Sequence, residues 1–274
     1  MGSAYLQWSA SPNSFKYDDR IMENVNRLEE QSAAERLALA QLGELRKTAG
    51  LHPEDTTTRE KLAQSLYGVL RYTKEEKERV DAILGELREL TNRYPADRAV
   101  REQFAKSLAD GLLNEATYLK ELGELARKYP EDSKVQEQLA RSIHTGLFFA
   151  QQEGQWNCQD ERLQELRSMA TRYPDNAVIR QNLAFALFRV ISAARERKDL
   201  QSHSALLEAL RRLASSYPGD AEVREWLAQG LYSAMCVAKE SEKPEPYRVL
   251  SEELRRLVTE HPEDKTAQRW LTMA

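Results

Sequence analysis

Cysteine is nearly absent from this chain. Its 274 residues hold two, Cys158 and Cys236, too few for a disulfide framework and without metal-ligand spacing. The fold is therefore expected to need neither oxidation nor a metal, and a reducing cytoplasm is the expected compartment. No apolar run approaches the length of a membrane span. The opening residues show no charged region followed by an apolar stretch, so no secretory leader is expected. Charge of one sign is not in excess either: 40 Lys and Arg stand against 44 Asp and Glu, a net −4. Nucleic-acid binders usually carry a basic stripe, so that balance argues against a polyanion as partner. Chemistry-bearing motifs are missing as well. The chain has no glycine-rich phosphate loop, no nucleophile elbow and no His-Glu-x-x-His helix. Its four histidines lie far apart. The reading is a non-enzyme without a cofactor.

Glycine and proline are also scarce, at 11 and 9, and their placement organises what is present. Pro53, Pro95, Pro130, Pro174, Pro218 and Pro262 follow one another at intervals of 42, 35, 44, 44 and 44 residues, each preceded by Tyr or His. Nine residues after the first five comes an apolar–alanine pair: Leu62-Ala63, Phe104-Ala105, Leu139-Ala140, Leu183-Ala184 and Leu227-Ala228. Four residues beyond the first member of each pair stand Leu66, Leu108, Ile143, Leu187 and Leu231. Before the prolines, leucines recur at helical spacing, as with Leu87 and Leu90 or Leu210 and Leu213. Proline lacks the donor for the next helical hydrogen bond and disfavours helix in the residue before it, so each marks a helix end. A unit of this size is two amphipathic helices. It cannot bury its apolar stripe alone and must stack on its neighbours.

These motifs resemble the tetratricopeptide-repeat family, in which the first helix carries a large apolar residue, a small one and a further apolar one, and the second closes at a proline. The resemblance covers about Leu42 to Leu271. It implies an all-α fold, a right-handed superhelical array of antiparallel helix pairs (an α-solenoid) with about six pairs and a terminal helix over residues 17–274. Residues 1–16 lack helical periodicity and are expected to be an N-terminal arm, either folded over the first helix or a mobile tail; a docking segment for a partner is the alternative. The family's early tryptophan is replaced by Arg101, Gln136, Arg180 or Arg224, and armadillo-like arrays of similar period stay open as a fold. The resemblance implies work as a scaffold or adaptor that binds a partner protein or peptide. A regulatory subunit binding a small ligand in the groove and an RNA-binding helical repeat are the alternatives. The family's clamp for a terminal carboxylate does not carry over, because Glu60, Glu102, Glu137 and Glu225 occupy its lysine position.

Helices are expected over Tyr17–Gln31 and Ala33–Ala49, with Gly50 as a C-cap, and then in pairs between the marker prolines. The segment Glu153 to Asp160 is read as a polar loop containing Trp156 and Cys158, and Pro244 and Pro246 as a turn. The last helix, from Asp264, either caps the array with the polar face of Asp264, Lys265, Gln268 and Arg269 or docks a second copy through Trp270 and Leu271. Arg46, Arg88, Arg167, Arg211 and Arg255 recur on the second helices, interleaved with Glu44, Glu86, Glu165 and Glu208; this reads as a solvated outer ridge.

In the resembled family the first helices line the inner surface. Positions eleven and fourteen after the marker prolines lie off the core face and one helical turn apart. They hold Gln64 and Tyr67, Lys106 and Ala109, Arg141 and His144, Phe185 and Phe188, and Gln229 and Tyr232. Aromatic rings supply contact area and long polar side chains fix register, which suits peptide recognition. Gln64, Tyr67, Lys106, Arg141, His144, Phe185, Phe188, Gln229 and Tyr232 are therefore the candidate partner-binding stripe.

Overall fold

Each marker proline sits in a tight turn. In the computed structural model, which describes residues 33–73, 76–110, 116–154, 156–242 and 244–273, the amide two residues after the proline donates to the carbonyl of the residue before it. The pairs are Asp97 to Tyr94 at 3.0 Å, Asn176 to Tyr173 at 3.1 Å and Asp220 to Tyr217 at 3.0 Å. Proline presets the backbone for the second position of such a turn. The Asp or Asn that closes it then caps the next helix. Asp220 accepts from the Val223 amide at 3.3 Å, Asn176 from Ile179 at 3.2 Å and Asp264 from Ala267 at 3.1 Å. A cap of this kind contributes about 1 kcal/mol.

The described residues are helical and include no strand. α1 is described over residues 33–51. α2 (Thr56–Tyr72), α3 (Lys77–Arg93), α4 (Arg98–Asp110), α5 (Ala116–Lys128), α6 (Ser133–Gln152) and α7 (Trp156–Arg172) follow. α8 (Ala177–Glu196), α9 (Leu200–Ser216), α10 (Ala221–Glu240), α11 (Pro244–Glu260) and α12 (Lys265–Met273) complete the order. The expected helix over Tyr17–Gln31 and the arm over 1–16 lie outside the described residues. Two compact units are present, residues 1–107 and 108–274, divided within α4.

In the first unit, Leu42, Leu66, Leu70, Leu84 and Leu87 are wholly buried. α2 packs on α3. In the second unit each first helix packs beside the next: α6 on α8, α8 on α10, α10 on α12. Each second helix covers its own pair, as α7 does α6, α9 does α8 and α11 does α10. Ala140, Ala184 and Ala228 have no exposed surface, which lets the first helices approach closely. Gly230 lets α10 approach α9 in the same way, since a Cβ there would meet Leu207 and Leu210 at 3.2 Å. α8 is long and apolar enough to cross a membrane by composition alone. Here it is packed against α6, α7, α9 and α10.

Three local expectations change. Gly50 is the penultimate residue of α1, which continues to residue 51, because one glycine near a helix end costs only about 1 kcal/mol. α7 begins at Trp156, so Trp156 and Cys158 belong to a helix and the turn is confined to Glu153 and Gly154; their side chains lie outside what is described. Pro244 is the first residue of α11, where its missing donor is no loss.

The arginines in the slot of the family's tryptophan have a structural task. Arg59 donates to the Pro53 carbonyl at 2.6 Å, pairs with Asp97 at 3.1 Å and lies 4.2 Å over the Tyr94 ring. Arg180 repeats this with Pro174 at 2.6 Å, Asp220 at 3.4 Å and Tyr217 at 4.3 Å. Arg224 donates to Pro218 at 2.5 Å. Its guanidinium lies 3.5 Å from Glu263. One side chain thus ties its own turn to the cap and ring of the next. A tryptophan could fill the space but could not bridge two carbonyl and carboxylate acceptors.

Candidate functional site

The sequence-derived stripe falls in both units. In the first, Gln64 is exposed and donates to Glu60 at 3.2 Å. Tyr67 is half-buried, and Lys106 is held by Glu102 at 2.9 Å. In the second unit the residues come together. His144 on α6 meets Phe185 on α8 edge to face, ring centroids 4.3 Å apart. Phe185 meets Trp226 on α10 at 4.3 Å, and Phe188 stacks on the same indole at 5.4 Å. Tyr232 on α10 lies 5.0 Å from Trp270 on α12. All six side chains are half-buried. Rings in edge or offset contact contribute roughly 0.5–1.5 kcal/mol per pair beyond burial, so the stripe is also part of the packing between first helices.

Trp226 was not picked from the sequence, and Trp270 was picked only as a docking residue of the last helix; the signal that places both beside the stripe was available. They stand eight residues after Pro218 and Pro262, the position that holds Asn182 after Pro174. The structure gives this position a rule. Asn182 on α8 hydrogen-bonds His144 on α6, Trp226 meets Phe188, and Trp270 meets Tyr232. In α8, α10 and α12, position eight meets position fourteen of the first helix before. Reading one helix at a time hides a partner that lies a whole unit away.

The polar members stay at the edge. Arg141 is exposed and has no carboxylate partner among the described residues; Glu137, one helical turn before it, pairs with Lys134 at 3.0 Å. Gln229 is half-buried and donates to Glu225 at 3.4 Å. Arg189 extends the aromatic row, lying 4.9 Å over Phe148, a ring that is 39% exposed. Burial, reinforced by the Arg189 charge, pushes His144 down to about 4 against the opposing hydrogen bond to Asn182. The imidazole is therefore neutral at neutral pH and acts as a ring. Beside Tyr232, the Cys236 thiol pushes the phenol above its ordinary pKa.

His203 is a buried side chain of α9. Burial, then the Arg195 charge, lowers its pKa. Two of the outer arginines are held in ion pairs. Arg46 bridges to Glu86 at 2.6 Å and Arg211 to Glu253 at 2.6 Å. Among the described residues no three His, Cys, Asp or Glu side chains cluster as a metal site. No family model, no curated protein and no solved structure matches the chain.

Proposed function

We propose that the helix pairs form a right-handed superhelical array of the tetratricopeptide kind, and that the chain is a scaffold or adaptor whose first-helix face holds a partner protein or peptide. The observation that carries the reading is the set of rings His144, Phe185, Phe188, Trp226, Tyr232 and Trp270, half-open to solvent and in contact across each of the three seams between four successive first helices. Half-open rings offer area at little conformational cost, and Arg141 supplies an unpaired cation beside them. Such anchors dominate interfaces, and truncating one costs roughly 2 kcal/mol or more, about a thirtyfold loss of affinity.

The test begins with affinity capture and mass spectrometry to identify a partner, followed by binding measurements on variants. Tyr232→Ala and Arg141→Glu should weaken binding with far-UV circular dichroism unchanged. Arg255→Ala, on an exposed part of α11, should leave it alone. Binding that survives both stripe substitutions and fails with Arg255→Ala would place the partner on the other face.

A further inference from the structure

The second helices of the second unit do not pack on one another as the first helices do, so clefts run between them. In one seam of each compact unit an arginine seven residues before a marker proline crosses to a glutamate nine residues before the next. Arg46 reaches Glu86 between α1 and α3, and Arg211 reaches Glu253 between α9 and α11. Between α5 and α7 the same register brings Glu165 opposite Gly123. The clasp is missing, and a Cβ on Gly123 would meet nothing within 4 Å. Glu165 has no ion-pair partner among the described residues, and burial raises its pKa.

The cleft left there is about 480 Å³, with Leu119, Leu139 and Met169 among its walls. Its charges do not balance. Lys120, Arg127 and Arg172 line it against Glu165 alone. Lys120 and Arg172 have no carboxylate partner among the described residues, and Arg127 donates only to the Gly123 carbonyl, at 3.2 Å. A guanidinium from outside could replace the missing clasp at Glu165, but it would meet three cations. An anion meets three cations and one acid. Lys120 and Arg127 sit seven residues apart on α5, about 10 Å along the helix. One carboxylate cannot reach both, whereas two acidic side chains about three residues apart on an extended chain span about 10 Å.

We propose that the α5–α7 cleft is a second docking site, for an extended acidic segment of a partner protein, whose carboxylates meet Lys120, Arg127 and Arg172 while an apolar side chain between them rests on Leu119, Leu139 and Met169. Its charged residues lie on second helices and none of its lining residues belongs to the first-helix stripe.

Selection of short random peptides displayed on phage against the immobilised full chain tests this. Wild type, Lys120→Glu/Arg172→Glu, Gly123→Leu and Tyr232→Ala would be run in parallel. The expected result is enrichment of peptides with paired Asp or Glu flanking Leu or Met. Their binding, measured by fluorescence anisotropy, should fall about tenfold for each charge reversal and fall with rising salt. Gly123→Leu fills the cleft without changing charge, and should abolish binding while raising the thermal midpoint. Tyr232→Ala should keep it. The proposal is overturned by no enrichment, by enriched peptides that are not acidic, or by acidic peptides that bind the charge-reversed or cleft-filled chain undiminished. Loss only with Tyr232→Ala would assign those peptides to the stripe and also overturn it. Lys120 and Arg172 are exposed and unpaired, so circular dichroism should show their variants folded.

Discussion

Replacing Arg180 by methionine keeps the apolar stem and removes the guanidinium from the tie between α8 and α10. The group donates to Pro174 at 2.6 Å and to Asp220 at 3.4 Å and covers the Tyr217 ring. Its side chain is 13% exposed and that of Asp220 is 7% exposed, so solvent screens the pair weakly. Charge-assisted hydrogen bonds contribute roughly 1.5–3 kcal/mol each, and a guanidinium over a ring about 0.5–2 kcal/mol. These do not add in full, because Asp220 keeps the Val223 amide and a bond from Gln181 at 3.3 Å. A loss of about 2–3 kcal/mol is expected. The matching change at Arg46, whose side chain is 48% exposed in its pair with Glu86, should cost less than about 1 kcal/mol. Urea unfolding measures both. Stacked helix pairs can unfold in parts, so hydrogen exchange at the Asp220 and Val223 amides should be followed too, and should quicken for Arg180→Met alone. Equal losses for the two variants, or less than about 1 kcal/mol at Arg180, would refute the idea that this arginine ties one unit to the next.

The folded chain holds His144 neutral, with its pKa lowered from 6.5 to about 4. The unfolded chain therefore binds more protons between those values, so this contribution to stability is full above about pH 6.5 and declines as pH falls toward 4. The span corresponds to about 3 kcal/mol, nearer 2 after allowing for partial exposure; in urea midpoints taken across that range, His144→Gln should show a shallower acid slope than wild type. Lys198 and Glu242 adopt positive φ of 61° and 53° at the turn position that Gly154 fills at 70°. Lys198→Gly and Glu242→Gly should each stabilise by about 1 kcal/mol, read as a rise in thermal midpoint, whereas Gly154→Ala should lower it. Trp270 packs on Tyr232 while Lys265, Gln268 and Arg269 face solvent, so α12 is expected to act as a cap. Sedimentation should show no dependence on concentration, and a dimer broken by Trp270→Glu without unfolding would contradict this.

The helix pairs were legible because proline and alanine act locally. Proline ends a helix whatever surrounds it, and the five register alanines are fully buried because only a small side chain suits a close helix contact. Helix ends were less legible. Gly50 and Pro244 carry the right residue types for breaks, but a glycine costs a helix only about 1 kcal/mol and a first-turn proline costs nothing. The stripe was half legible. Positions eleven and fourteen were found along single helices, whereas position eight, with Trp226 and Trp270, emerges only when one first helix is laid beside the next. The outer arginines were recognised as recurrent and neutralised. That Arg46 and Arg211 reach a glutamate about forty residues away was hidden, because the nearer Glu44 and Glu208 offered a local explanation.

An internal repeat supplies its own control. Every unit must turn, cap and stack, so residues serving those ends recur: the proline, the Asp or Asn two places on, the buried alanine and, in most units, the arginine tie. A position that changes between units is released from that common demand. Position eight passes from Asn182 to Trp226, and position fourteen from His144 to Phe188 and Tyr232, although each pair of positions is in contact in the same way. Packing alone would accept one solution repeated; Tyr232 on Trp270 serves as well as Phe188 on Trp226. The arginine clasp gives the opposite case, because Gly123 departs from a pattern that stabilises two other seams and leaves Glu165 and three cations in one cleft. A helix-weakening glycine that also removes an ion pair is a double cost to stability, and an occupant that uses the space would account for it. The departures fall on different helices of the second compact unit, the aromatic row on first helices and the charged residues of the cleft on second.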